Sequence, residues 1–338
     1  MRMHRIKEES AAFYHIVSRI VDRRMALDTN EKERLRRTMR QVEAFSGVQV
    51  LTYAILDNHF HILLHVPRRR EVTDEEFVQR LGHIYDSTIV ENLERELKSR
   101  REHGQNEAAE SLKAEYTYRM YDISEFMKTF KQRFTQSYNL RHGRKGTLWE
   151  ERFKSILLQG RSGHALATIA AYIDLNAVRA GIVADPKDYR FSGYGEAMAG
   201  SNMARSGLME VMLSLGIEAG WRAVSGRYRE FLYVAGRARG VDKQGRTLRC
   251  GFDPKQVEEV LNAGGEVALP ELLRCRVRYF TDGVILGSRA YVDDMFLRYR
   301  SRFSMKRETG ARPIRGGCPG LFTLRRLRLA TITVPVTS

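Results

Sequence analysis

Apolar and polar positions along this chain follow two periods, and the order of those periods sketches a fold. Residues 13–20 are rich in β-branched and aromatic side chains and predict a strand. Asp28 to Asn30 supply capping groups, and Leu35, Met39, Val42 and Phe45 then recur at helical spacing until Gly47. Residues 48–56 predict a second strand, Asp57-Asn58 a turn and residues 59–66 a third strand. A helix is expected over 73–85. The stretch 90–118 is dense in Glu, Lys and Arg with few apolar positions, which predicts a solvated helical insertion over about 86–120. From Ile123 the pattern is again amphipathic, with Phe126, Phe130 and Phe134 on one face. Residues 153–158 predict a fourth strand, and 164–180 a helix ended by Gly181 at its C′ position. The order β-α-β-β-α-β-α predicts an α+β fold of the ferredoxin or RRM-like kind, an antiparallel sheet with helices on one face.

Near residues 194–206 the composition turns to Gly, Ser and Ala, which places a boundary between 1–198 and a mostly helical 199–338. Helices are expected over 227–235, 254–263, 269–280 and 288–299. The last two, joined by a turn at Thr281-Asp282-Gly283, fit a helix-turn-helix; an all-α packing domain is the competing expectation. The stretch 302–328 is rich in Lys and Arg against one acidic residue, Glu308, and reads as a basic tail. A length of 338 residues favours two domains. The net charge of +16 and isoelectric point near 9.9 favour a polyanionic partner, most often nucleic acid. Cys250, Cys275 and Cys318 are scattered, with no spacing for a zinc ribbon or a disulfide framework. No apolar leader and no membrane-length apolar run is present, so a cytoplasmic protein without a membrane partner is expected.

The residues that suggest chemistry stand on this frame. A strand sends alternate side chains to one face, so His59 and His61 point the same way, roughly 6–7 Å apart, close enough to share a divalent cation. Phe60, Ile62 and Leu64 face a core instead. On the otherwise apolar helix 164–180, Tyr172, Asn176 and Arg179 form a polar stripe. Two histidines, an amide and a tyrosine suggest metal-assisted phosphoryl transfer with tyrosine as nucleophile. Asn176 offers an amide oxygen, and Arg179 a phosphate contact; a packing tyrosine and a capping asparagine are the bland alternatives. His65 shares the histidine face but fits a structural or DNA-side role better, and His15 is open between such roles. The basic loop at Arg141, Arg144 and Lys145 suits phosphate contact, and Trp149 suits base stacking or, equally, core packing.

Three motifs in order carry a resemblance: Leu56-Asp57-Asn58-His59-Phe60-His61, then Thr147-Leu148-Trp149-Glu150-Glu151-Arg152-Phe153, then Tyr172-Ile173-Asp174-Leu175-Asn176-Ala177-Val178-Arg179-Ala180-Gly181. Over about residues 10–195 the chain resembles the REP-associated tyrosine transposases, which are HUH single-tyrosine transposases of the insertion-sequence-200-like group. Tyr14-His15-Ile16-Val17 and Asp188-Tyr189-Arg190-Phe191-Ser192 add to the likeness. The resemblance implies His59 and His61 as ligands of Mg²⁺ or Mn²⁺, Asn176 as third ligand and Tyr172 as nucleophile. It implies cleavage and joining of single-stranded DNA at hairpin-flanked sites through a 5′-phosphotyrosine. Arg179, Arg141, Arg144, Lys145, Trp149 and Arg152 would then contact DNA. The family's proline after the asparagine is Ala177 here, its Pro-Asn before the first histidine is Asp57-Asn58, and the insertion after residue 86 departs from its compact members. The partners expected are single-stranded or hairpin DNA, with a homodimer open. A non-catalytic nucleic-acid-binding regulator on the same sheet, and a metal hydrolase using water, are the competing functions.

Overall fold

The computed structural model describes residues 6–160, 164–235, 239–241, 247–249, 278–281, 283–303, 306–314 and 320–325. Four strands form the first part of its main sheet: β1 (Ala12–Arg19), β2 (Gln49–Ile55), β3 (His59–Val66) and β4 (Lys154–Leu158). β3 lies antiparallel between β2 and β1, and β4 pairs antiparallel with the other edge of β1. The helix α1 (Thr29–Ser46) links β1 to β2; Asp28 caps it by accepting from the Glu31 amide, and Gly47, at φ 70°, closes it in the left-handed region. α5 (Ile123–Arg141) begins at Asp122, whose carboxylate accepts from the Ser124 and Glu125 amides. It lays Phe126, Phe130 and Phe134 on the face bearing Tyr14, Ile16, Phe60 and Ile62. That face is the larger core, and it explains the apolar half of the β3 alternation.

Between these elements lie α2 (Asp74–Leu81) and the charged insertion, a pair of helices α3 (Ser87–Glu102) and α4 (Asn106–Thr117). The pair is helical as expected but not merely solvated. Leu93, Leu97, Ala109 and Leu112 are buried in the larger core, while Arg101 and Lys113 converge on Asp74 of α2 at 2.9 and 2.7 Å.

The α+β class with an antiparallel four-strand centre stands as expected, but helices cover both faces. α6 (Ala165–Asp174), α7 (Asn176–Arg179), α8 (Gly193–Met198), α9 (Asn202–Leu213) and α10 (Trp221–Ala235) follow β4. Leu166, Ile169, Ile173, Leu208, Val211 and Phe231 build a second core against Phe13, Leu63, Ile156 and Leu158 on the opposite face. α6 is buried along its whole length, which accounts for its nearly continuous apolar sequence. Gly207 lets α9 lie directly on β2, since a Cβ there would overlap the Leu51 carbonyl.

The C-terminal part is helical as expected, through α9, α10 and two later helices, but it carries strands as well. β5 (Arg239–Val241) and β6 (Thr247–Arg249) pair as a separate two-stranded sheet. α11 (Arg278–Thr281) leads into β7 (Gly283–Gly287), so the expected turn between two helices opens a strand instead. β7 pairs parallel with β4, aligning Ile285 with Leu157, and β8 (Arg312–Pro313) and β9 (Phe322–Arg325) complete a seven-stranded sheet in the order β2-β3-β1-β4-β7-β9-β8. The expected helix at 288–299 is present as α12 (Arg289–Arg298), capped by Ser288. The helix expected at 254–263, most of that at 269–280 and the three cysteines lie outside the described residues. No helix among the described residues is long and apolar enough to cross a membrane.

Candidate active site

His59 and His61 leave β3 on the face that α6 covers. Their imidazole centroids are 5.2 Å apart and nearly perpendicular, at 78°. Register then brings in β1: Val17 stands opposite His61 and Arg19 opposite His59, so His15, two residues back, lies on the same face. His15 is fully buried and its Nε2 lies 3.0 Å from His61 Nδ1; its own Nδ1 lies 2.8 Å from the Phe280 carbonyl of α11. His59 Nδ1 lies 2.7 Å from the Asn58 amide oxygen, and Asn58 in turn donates to the Arg23 carbonyl at 3.1 Å.

All three imidazoles are held neutral. Burial pushes His15 down to about 4, against the opposing pull of the Phe280 carbonyl. Burial also pushes His59 down to about 4, with the Arg19 charge adding. Burial, then His15, His59, Arg19 and Arg179, hold His61 well below the usual imidazole range. Two guanidinium groups therefore act on His61 from different elements, which makes this end of the face favourable for an anion.

α6 brings Tyr172 to the same place. Its ring meets His61 edge-on at 5.5 Å and His15 at 6.0 Å. The guanidinium of Arg179 sits 4.7 Å from the ring centroid, and Phe280 packs at 5.0 Å. Tyr172 is 3% exposed. The helix expected over 164–180 is interrupted at Leu175, and Asn176 spans the break: its amide nitrogen donates to the carbonyls of Tyr172 and Ile173 at 3.0 and 3.2 Å. That commits the nitrogen to the helix and leaves the oxygen as the accepting end of the amide. Gly181, at φ 69°, ends the segment as expected, with the Ile182 amide donating to the Ala177 carbonyl.

Asp174, between Tyr172 and Asn176, faces the other way. It is fully buried and accepts from Thr52 Oγ1 at 2.7 Å, Tyr228 Oη at 2.6 Å and the Tyr194 amide at 3.2 Å. These bonds tie α6 to β2, α8 and α10. Burial pushes its carboxyl up to about 7, although all three hydrogen bonds pull it down.

The expected DNA contacts scatter. Trp149 is 6% exposed, with its ring against Phe60 and Phe134 and its Nε1 donating to Thr135 Oγ1 at 2.8 Å, so it packs in the larger core. Arg141 is paired with buried Glu31 at 2.6 Å. Arg144 lies 5.8 Å from the Tyr138 ring, and Lys145 is exposed. Arg152 is exposed just beyond Glu150, whose amide donates to the Arg19 carbonyl, so it follows the histidine end of β1. His65 stacks on Phe13 at 4.5 Å and meets Gln49 Oε1 at 2.8 Å, a structural role. Arg19, Asn58 and His15 are the site residues that sequence reasoning did not assign. Arg19 is recoverable only from the β1–β3 register.

Among the described residues no group of three or more His, Cys, Asp or Glu side chains is placed to hold a metal ion.

An α+β protein with paired histidines on a central strand and a tyrosine-bearing helix across them is the class that fold and site define. Residues 9–105 match the family described as "Transposase IS200 like", so the resemblance drawn from the motifs holds over that segment, which carries both histidines. A solved structure of a REP-associated tyrosine transposase bound to a REP hairpin is also similar, at 16% identity and a TM-score of 0.39, covering 59% of this chain and 87% of that one. No curated protein matches the chain.

Proposed function

We propose that this chain is a transposase-type DNA strand transferase. It would cleave and rejoin single-stranded DNA beside hairpins, with Tyr172 as nucleophile and His59, His61 and Asn176 holding Mg²⁺ or Mn²⁺. The observation that carries this reading is the 5.5 Å edge-on approach of Tyr172 to His61, which unites a strand motif and a helix motif far apart in sequence. The histidines suit the cation: His59 Nδ1–H donates to the Asn58 amide oxygen, so the lone pair sits on Nε2, and the ring nitrogen of His61 turned away from His15 is also Nε2. Bound there, a divalent cation would supply Lewis-acid stabilisation of charge on the scissile phosphate. Arg179, 4.7 Å from the Tyr172 ring centroid, would place positive charge beside the reacting oxygens. Arg19 and Arg179 would hold the phosphate oxygens. The tyrosine oxygen forms a bond to phosphorus as the bond to the 3′ oxygen breaks. The phenol proton is lost and the departing oxygen gains one, so a free 3′-OH and a 5′-phosphotyrosine result. A second 3′-OH reverses the step and joins strands.

The test is a denaturing gel of protein incubated with labelled hairpin-bearing single strands and Mn²⁺. Wild type should give a covalent adduct that peptide mapping assigns to Tyr172. Tyr172→Phe keeps the ring and its packing and should lose both adduct and cleavage while retaining hairpin binding. Cleavage that survives in Tyr172→Phe would favour metal-activated water. The burial of Tyr172 favours the regulator reading, and hairpin binding with no adduct from any strand would establish it.

A further inference from the structure

We propose that His15 is a positioning residue, and that a relay from the Phe280 carbonyl through His15 fixes which nitrogen of His61 is offered to a metal. This rests on the metal reading above. The direction of the relay follows from which atoms can donate. A carbonyl oxygen only accepts, so His15 Nδ1, at 2.8 Å from it, must carry the proton. A neutral imidazole has one N–H, so His15 Nε2 is then a lone-pair acceptor. His61 Nδ1, at 3.0 Å from that lone pair, must donate. The proton of neutral His61 is therefore on Nδ1, and its Nε2 lone pair is exposed for ligation. The same logic operates once at His59, where the Asn58 amide oxygen accepts a hydrogen bond from Nδ1–H. Both histidines are set to the same tautomer by two different devices, one local to the turn before β3 and one assembled from β1 and α11.

Surroundings fix the relay in space. His15 and Phe280 are buried to 0% and 1% exposure and His61 to 3%, so water cannot replace either bond without displacing packed side chains. His15 sits on a central strand between β3 and β4 and stacks on His61 at a centroid distance of 5.2 Å. An outer partner of this kind orients a ligand ring as well as choosing its tautomer. The distal end of the relay is a main-chain oxygen of the C-terminal part, so that part contributes an atom to the organisation of the histidine pair.

The experiment combines a metal-free and a metal-bound readout on the full chain. Long-range ¹H–¹⁵N spectra of ¹⁵N-histidine-labelled, metal-free protein report the His61 tautomer; the Nδ1–H form is expected. His15→Phe keeps an aromatic ring, somewhat larger than imidazole, and removes both polar atoms, so His61 should lose that tautomer preference. Its Mn²⁺ affinity, read by electron paramagnetic resonance, should fall about 10- to 100-fold. His15→Gln keeps an acceptor for His61 and should recover most of the affinity. An Nε2–H tautomer in wild-type protein overturns the relay, a measurement that no variant's folding can obscure. So does a folded His15→Phe variant binding Mn²⁺ within twofold of wild type. Wild-type protein whose Mn²⁺ binding does not depend on His59 or His61 overturns the metal reading itself, whatever the tautomer, and the relay's role falls with it.

Discussion

Replacing Asp174 with Asn should change how stability depends on pH, because Asp174 is a buried carboxyl that anchors the helix carrying Tyr172. Its pKa is raised from 3.8 to about 7, with burial as the largest cause. For a group whose folded pKa is raised, the stabilising contribution is fully present below the unfolded value and lost as pH rises through the folded one. The window here runs from about 4 to about 7, at about 1.4 kcal/mol per pH unit. Between pH 4.5 and pH 8 the fold should lose about 3 kcal/mol through this one group. Asp174→Asn keeps an oxygen to accept from Thr52 and the Tyr194 amide, and its NH₂ can donate to the Tyr228 oxygen, which then reverses its role. The variant cannot ionise. The difference in unfolding free energy, variant minus wild type, should therefore rise by about 3 kcal/mol from pH 4.5 to pH 8. Guanidinium denaturation of both proteins at the two pH values measures it, and contributions from all other groups cancel in the difference. A difference that stays constant to within about 0.5 kcal/mol would refute the account of Asp174 as a carboxyl trapped by burial.

His59→Ala and His61→Ala should each reduce Mn²⁺-dependent cleavage by at least about 100-fold, more than an outer partner costs; wild-type nicking by either variant in chelating buffer would contradict this. Hairpin affinity should fall steeply with salt, and Arg152→Ala should lower the slope of log K against log salt by about 0.7 in a titration series. Arg141→Ala should leave that slope unchanged and cost about 1–3 kcal/mol of stability, because buried Glu31 would lose its bidentate partner and keep only His142. Truncation after Gly200 should abolish cooperative unfolding in a thermal melt, since it strips Leu208, Val211, Phe231 and Phe280 from α6; a sharp melt near the full-length temperature would show that the first part folds alone.

What could be read from the sequence was what local periodicity encodes. The His59–His61 pair shows itself because a strand repeats every two residues, and Tyr172 with Asn176 because a helix brings residues four apart together. Strand limits over 59–66 and the stop at Gly181 follow from equally local signals. What stayed hidden depended on pairing. Nothing near His15 announces that its neighbour will be His61, because that contact needs the β1–β3 register. Arg19 joins the site for the same reason. Asn58 looked like turn punctuation, yet its side-chain oxygen serves the His59 ring. Trp149 could stack or pack with equal plausibility in sequence, and Phe60 and Phe134 decide for packing. Val284, Ile285 and Leu286 are too short a run to declare a strand, and they become one only against β4 and β9.

The same dependence on distant pairing bears on how the C-terminal part relates to the site. A division into 1–198 and 199–338 follows composition, and it remains a proposal about folding units. Yet the described residues on either side share one sheet through β4 and β7, and one apolar core around α6. Tyr228 of α10 holds Asp174, and Phe280 touches the Tyr172 ring while its carbonyl meets His15. A helix that carries a nucleophile must be fixed to well within the length of a bond if its oxygen is to meet a phosphate in line. On this chain the apolar sequence of α6 gives little directional hold, because apolar contacts tolerate sliding. Asp174 adds directional bonds, and one of its three donors lies beyond residue 198. The histidine pair shows the same division of labour, with the proposed ligating atoms on β3 and one proposed orienting atom on α11. The described later residues therefore act on the proposed chemistry through geometry, by holding Asp174 and His15.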